Sequence, residues 1–301
     1  MDKTTREGIT AGLAAYFMWG VLPVFFKIVG EVPPLEILAH RIVWAIPLGA
    51  LILLARRQWP EVKRAFTHRG MLGWLSVSTL FIALNWFIYI WAIQDDRILE
   101  TSLGYYINPL MNMLAGVWLF HERLRPFQWL AVALATIGVV ILTLSAGGIP
   151  WVALCLALFF TVYSIVRKRV VIGGMPGLFV EITILLPFAA AWLMYLSLTS
   201  NIVFGHGGPA ITMWLVMAGP FTALPLLCFA LAARRLPLTM LGFMQFLAPT
   251  LQFCMGIYYG ETLTTAHLIC FGFIWSAVAC FIFDALKTAK KKPRQVKPAR
   301  A

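Results

Sequence analysis

Residues 71–93 read MLGWLSVSTLFIALNWFIYIWAI, a stretch without a single charge. A helix rises about 1.5 Å per residue, so this stretch reaches across roughly 30 Å, the thickness of a bilayer's hydrocarbon core. Its apolar residues run continuously instead of alternating at every second position. That pattern predicts a membrane-crossing helix and argues against a barrel strand. Nine further runs flank it, at about 8–29, 35–54, 101–120, 127–145, 149–166, 178–198, 211–233, 238–258 and 265–286. The links are short and rich in Pro, Gly and charge, as from Gly30 to Pro34 and from Gly205 to Pro209, and none has room for a soluble domain. The expected fold is an all-α membrane protein with ten transmembrane helices.

Composition agrees. Of the 301 residues, 61% are hydrophobic and 12% charged, with a mean hydropathy of +0.84. A soluble domain is about 45–50% apolar and about 25% charged, so an ordinary globule, a disordered chain and a disulfide scaffold are excluded. Lys3 and Arg6 precede the first run as they would in a signal peptide. That run, however, exceeds a signal's apolar length, carries Trp19, Pro23 and Phe26, and lacks a small-x-small cleavage site, so a retained helix is expected. The five cysteines, Cys155, Cys228, Cys254, Cys270 and Cys280, lie inside apolar stretches without metal-ligand spacing and read as small hydrophobes. No metal or cofactor is expected.

The formal charge of +12 comes from 24 Lys and Arg against 12 Asp and Glu. Sorted by loop, 21 of the 24 basic residues fall on one side of a ten-span chain: the N-terminus, the links after spans 2, 4, 6 and 8, and the tail. Only Lys27, Arg41 and Arg97 fall elsewhere. Such a bias marks the cytoplasmic face, which predicts an inner-membrane protein with both termini inside. The excess therefore records topology. No nucleic-acid reader motif accompanies it, and nucleic acid is not expected as a partner. The tail from Lys287 to Arg300 is suited to lie on anionic lipid.

A shift of 140 residues aligns the chain with itself. Trp74-Leu75 falls on Trp214-Leu215, Phe81 and Leu84 on Phe221 and Leu224, Pro47 on Pro187, Pro109 on Pro249 and Gly116 on Gly256. One shift serves spans 2, 3, 4, 7, 8 and 9. Two five-helix halves follow, 1–145 and 146–286, with a basic tail at 287–301. An odd number of spans per half inverts the second half, the arrangement of transporters that alternate access around a midplane site. An old duplication in a protein that does not transport is the other explanation.

These features, with the segment from Pro109 to Glu122 and its counterpart from Pro249 to Glu261, resemble the EamA family of the drug/metabolite transporter superfamily. Further segments carry the resemblance over nearly the whole chain: Ala15 to Gly20, Glu36 to Arg41, Leu103 to Leu110, Val166 to Lys168, Leu241 to Phe243, and Pro249-Thr250. The resemblance implies an inner-membrane permease, with relatives in the superfamily that export amino acids and other metabolites. His121 stands where the family more often has Gly.

Polar residues inside spans are costly and need a reason. Tyr105, Asn108 and Asn112 recur at i, i+3 and i+7 on one helix face. Gln245 and Gln252 occupy the shifted positions of Tyr105 and Asn112. Both stripes are expected to line a central cavity and offer amide donors and acceptors to a solute. The alternative is interhelical hydrogen bonding that only holds the bundle, at about 0.6 kcal/mol per contact. Asn85 and Tyr89 extend the lining, and Trp19 and Tyr163 are aromatic candidates for its wall, with apolar bodies and polar tips. Pro109 and Pro249 lie mid-span at equivalent positions, as hinges for alternating access or as fixed kinks.

Arg41 has two roles open to it, capture of a substrate carboxylate or a structural ion pair with a neighbouring acid. The pair is favoured, since buried charges usually find a protein partner. Lys27 is a gate residue or, preferably, a snorkelling anchor. His40 and Glu181 are the candidates for proton coupling, which needs an embedded group whose pKa can be moved. Glu122 and Glu261 are expected to pack a loop or cap the next helix, and Asp284 to be structural.

The leading function is a secondary transporter that exports a small amphiphilic metabolite, amino acid or drug. A flippase for lipids or lipid-linked sugars is the alternative. A membrane-embedded enzyme is disfavoured, because HExxH, GxSxG and paired intramembrane carboxylates are missing. No GxxxxGK[ST] sequence supports direct use of ATP. Expected partners are the solute and the bilayer, and a homodimer stays open.

Overall fold

The structure is a computed structural model that describes residues 3–121, 123–146, 148–236, 240–241 and 244–291. All regular structure among these residues is helical. The helices are α1 (Lys3–Gly20), α2 (Leu22–Ile28), α3 (Pro34–Ala55), α4 (Trp59–Thr67), α5 (Arg69–Gln94) and α6 (Ile98–Phe120). They continue with α7 (Pro126–Ala146), α8 (Trp151–Lys168), α9 (Gly174–Leu198), α10 (Pro209–Ala233), α11 (Leu247–Tyr258) and α12 (Thr265–Lys291).

Eight stretches are long and apolar enough to cross a membrane, α1 and α2 together counting as one. The protein is a multi-pass membrane protein, and large exposed side chains such as Leu51, Leu80, Trp118, Phe188 and Leu198 give its sides the apolar face a bilayer covers. The expected runs at 101–120 and 238–258 are not among the eight. Their helices, α6 and α11, are the ones that carry the polar stripes. Glu100, Asn108 and Asn112 dilute the hydropathy of α6, and the twelve residues of α11 reach only about 18 Å.

Two further differences from the expected runs have local causes. The first run breaks at Val21, where Pro23 enters the first turn of α2. The link after α3 holds a short amphipathic helix, α4, which buries Val62 and Ala65 against the bundle. Links are short because helices end abruptly. Arg57, Asp96 and Ser200 adopt left-handed backbone, and the next N–H bonds back to the carbonyl of Leu53, Ala92 or Leu196, the six-to-one bond of a Schellman stop.

Packing interleaves the two stretches of chain related by the 140-residue shift. Helix α3 packs on α9 and α10, α6 on α11, and α7 on α12. Contacts come in matched pairs: α1 against α10 and α11, as α8 against α5 and α6; and α3 against α10, as α9 against α5. One core lies among α2, α3, α5, α9 and α10, and a second among α6, α7, α11 and α12.

Loop contacts define two ends. At the arginine-rich end, Arg64 donates to the Val171 carbonyl (3.2 Å), the Gly173 N–H donates to Glu61 (2.9 Å), and Arg235 lies 3.6 Å from Glu7. At the opposite end, Gln94 donates to the Val32 carbonyl (2.9 Å), Lys27 pairs with Asp96, and Glu36 accepts from the N–H groups of Val203 and Phe204 (2.9 and 3.0 Å).

Candidate functional site

Between the helices lies a cavity of about 740 Å³, within the usual range for small-molecule sites. Its inner end stops at Trp86, Tyr89 and Leu22, all buried. Outside the lining, Phe26 packs on Tyr89, Phe25 packs on Phe26, Trp214 and Phe221, and Trp214 stacks on Phe221. The other end reaches Arg56, Gln58, Gly174 and Arg234 at the ends of α3, α9 and α10, where the wall is open to solvent. The cavity is therefore open at the arginine-rich end and shut at the opposite one.

Both polar stripes reach this cavity. Tyr105, Asn108 and Asn112 line it from α6, Gln245 from the turn before α11, and Gln252 from α11. Asn85 and Tyr89 of α5, Trp19 of α1 and Tyr163 of α8 line it too, as do Pro109 and Pro249. The stripes also join helices. Asn85 Nδ2 donates to the Leu156 carbonyl (3.0 Å), Thr161 Oγ1 donates to Asn108 Oδ1 (3.4 Å), and Gln252 Nε2 donates to Tyr89 Oη (3.0 Å) and the Trp19 carbonyl (3.2 Å). Capacity remains: Gln252 Oε1 is buried without a partner, and Asn112 and Gln245 spend no amide bond among the described residues. Lining and joining thus coexist in the same side chains.

The prolines differ. Pro109 stands inside α6, whereas Pro249 is the third residue of α11, just past a turn at Gln245–Phe246. A proline has no N–H to bond the carbonyl four residues back, so the helix restarts after that point. Both prolines keep their mid-span positions, but only Pro109 has helix on both sides of it, and at Pro249 the turn falls just before the helix.

Arg41 lies at the shut end, 6% exposed. Its Nε donates to Thr222 Oγ1 at 2.7 Å, and its guanidinium stacks 4.4 Å from the Trp86 ring. The favoured ion pair with a neighbouring acid is corrected: among the described residues no carboxylate lies within pairing distance of Arg41, and Nη1 has no partner. Glu36, the acid on its own helix, is five positions away and so about 140° around the axis. It faces the α9–α10 loop instead, where it accepts two backbone N–H bonds.

His40 and Glu181 lie outside the cavity lining. His40 accepts from Trp44 Nε1 (3.2 Å) and stacks on Phe204 (4.6 Å). Glu181 is fully buried behind Tyr163 and Arg167. Ser78 Oγ donates to it at 2.6 Å, Tyr163 Oη donates at 3.3 Å, and Arg167 Nε lies at 3.6 Å. Lys27, expected as an anchor or gate, is tied to Asp96 and faces the Tyr259 ring. Glu261 does cap a helix, but it caps α6 and not the next one, accepting from the N–H groups of Ile98 and Leu99. Asp284 is buried and pairs with Arg125 (2.6 Å), the structural role expected of it. Glu122, Gly242, Phe243 and the tail from Lys292 onward lie outside the described residues.

Sequence reasoning missed Trp86, Phe160 and Phe229 in the wall, and Arg56, Arg167 and Arg234 toward the mouth. Trp86 was legible, since Ile82, Trp86 and Tyr89 form an i, i+4, i+7 stripe. The arginines carried a topological signal that masked their second position, beside the opening.

Comparison with known proteins agrees with this architecture. Residues 6–144 match the EamA-like transporter family. An uncharacterized transporter of Pseudomonas aeruginosa, PA0485, is 44% identical over 294 residues, covering 96% of this chain and 97% of that protein. Protein RarD of Salmonella typhi is 41% identical over 96% of this chain and 99% of its own length, and Protein RarD of Escherichia coli K12 is 40% identical over 96% and 98%. A crystal structure aligns over 96% of this chain and 99% of its own at a TM-score of 0.62 and 20% identity, a likeness of fold. On identity sustained over nearly the full length, this chain belongs to the RarD-like permeases of the EamA transporter family.

Proposed function

We propose that the chain is a secondary transporter of the inner membrane that moves a small amphiphilic solute outward by alternating access. One observation carries this reading: a single cavity takes both polar stripes on its wall, opens at one end and is shut at the other. The 140-residue shift and the matched helix contacts support two inverted halves, hence ten spans, with α6 and α11 as the remaining two. The sequence sorts 21 of the 24 basic residues to one side of a ten-span chain, and Arg56, Arg167 and Arg234 among them lie toward the open end, which supports a cavity facing the cytoplasm with both termini on that side. Pro109 serves as the hinge within α6. Proton coupling would draw on Glu181, held beside Arg167 and Tyr163 near the mouth. Family membership supports a transporter over an enzyme.

The test is transport of labelled amino acids and drugs into proteoliposomes, with and without a pH gradient. Asn108→Ala and Trp19→Ala are expected to cut transport about tenfold while leaving folded protein in the membrane, since each removes a wall group worth roughly 1.5 kcal/mol. Unchanged transport by both variants would sink the cavity reading. Movement of labelled lipid between leaflets, with no solute uptake, would favour the flippase alternative.

A further inference from the structure

We infer that the solute is an organic anion, a carboxylate on an apolar or aromatic body, and that Arg41 binds its charge. This rests on the transporter reading above and names the substrate class for the same cavity.

The charges of the wall come first. Among the described residues, the ionisable carboxylate and guanidinium residues that line the cavity are Arg41, Arg56, Arg167 and Arg234, with no Asp or Glu. Behind the wall, buried Glu181 pairs with Arg167 (3.6 Å) and accepts from Ser78 and Tyr163, which leaves Arg41, Arg56 and Arg234 as the lining charges with no carboxylate partner among the described residues. A cleft of one sign with low-dielectric walls concentrates ions of the other sign. A cationic solute would meet repulsion at the mouth and again at the inner end.

Arg41 then supplies the point of capture. Burying a guanidinium without a counter-charge is costly, and proteins leave such a cost standing where a ligand removes it. Thr222 holds the Nε edge, and its own hydroxyl is anchored to the Ala218 carbonyl at 2.8 Å. Trp86 covers one face of the guanidinium. The Nη side is what is left: Nη1 is buried and has no hydrogen-bond partner among the described residues. A guanidinium edge presents parallel N–H donors that match the two oxygens of a carboxylate. Around it, Tyr89 and Tyr105 lie with rings 5.5 Å apart, and Trp19 and Phe229 pack toward the middle of the cavity at 5.9 Å. The inner end thus offers one charge site, and the widening body offers aromatic walls.

The experiment uses the full-length protein in nanodiscs with three probes of one shape: 3-phenylpropionate, 3-phenylpropionamide and 3-phenylpropylamine. Binding is measured by calorimetry on wild type, Arg41→Gln, Arg41→Lys and Trp19→Ala. Wild type is expected to bind the carboxylate at least about tenfold more tightly than the amide, the gain of a charge-assisted pair, with the amine weakest. Arg41→Gln should lose that preference and keep amide binding, while Arg41→Lys keeps part of it. The thermal midpoint of Arg41→Gln should hold, since no acid is stranded by the change. A fall in that midpoint together with unaltered carboxylate preference would assign Arg41 to structure and overturn its role. The wild-type comparison needs no variant, so equal binding of amide and carboxylate overturns the anion class on its own. If Trp19→Ala then weakens all three probes, the cavity reading survives that loss. Absence of binding by every probe overturns both.

Discussion

Glu261 sits in the loop after α11, outside the spans, with its carboxylate on the first turn of α6. Burial raises its pKa above the ordinary 4.5, and the backbone N–H bonds from Leu99 and Ile98 and the nearby Lys27 only partly pull it back. A folded-state pKa above the unfolded one means that the folded protein holds the proton more tightly. The group's linked stability is then fully present below the ordinary value and is lost as pH rises through the folded value. The thermal midpoint of wild type is expected to carry a component that declines as pH is raised above 4.5. That component should vanish in Glu261→Gln, and identical pH profiles for the two proteins would refute the assignment. At this scale the sequence was partly legible. Residue types and spacing marked Glu261 as a cap and Arg41 as a buried charge, but not which helix the one would cap or that the other would lack an acid.

Among elements, the contact of α3 with α10 matters most for the site, because it sets Arg41 against Thr222. Gly219, one turn before Thr222, makes this approach close. A Cβ there would come within 2.3 Å of the carbonyl carbon and oxygen of Trp44, backbone atoms that cannot turn aside. Gly219→Ala should push α10 off α3 and cost about 1–3 kcal/mol, the usual price of overpacking a close-packed contact. Loss of folded protein or a lower thermal midpoint in detergent would show it, and a midpoint equal to wild type would count against the contact as described. Helix existence was readable from the chain because twenty apolar residues in a row need no partner to be recognised. The break at Val21, the amphipathic α4 and the restart of α11 were less so, because each depends on a local proline or on a face covered by neighbouring helices.

For the whole molecule, the sidedness of charge leads to a topology that fusions can check. Green fluorescent protein joined after residue 301 should fluoresce, and alkaline phosphatase joined there should be inactive. Phosphatase inserted after Ser200, in the α9–α10 link, should be active. Active phosphatase at the C-terminus would reverse the proposed orientation, and with it the side to which the cavity is proposed to open. The sequence by itself determined that this is a membrane protein of many helices, which side its basic residues favour, and which helix faces are polar. Those properties are written in local composition and in the 3.6-residue period, and they need no knowledge of neighbours. Only the tertiary structure decided how the charges and amides are matched. Lys27 finds Asp96 across 69 positions of chain, Gln252 finds Tyr89 across 163, and Arg41 finds Thr222 across 181. Such pairings depend on which helices lie side by side. For that reason a cavity walled by both polar stripes, with Arg41 beside no carboxylate among the described residues, could be seen only once the helices were packed.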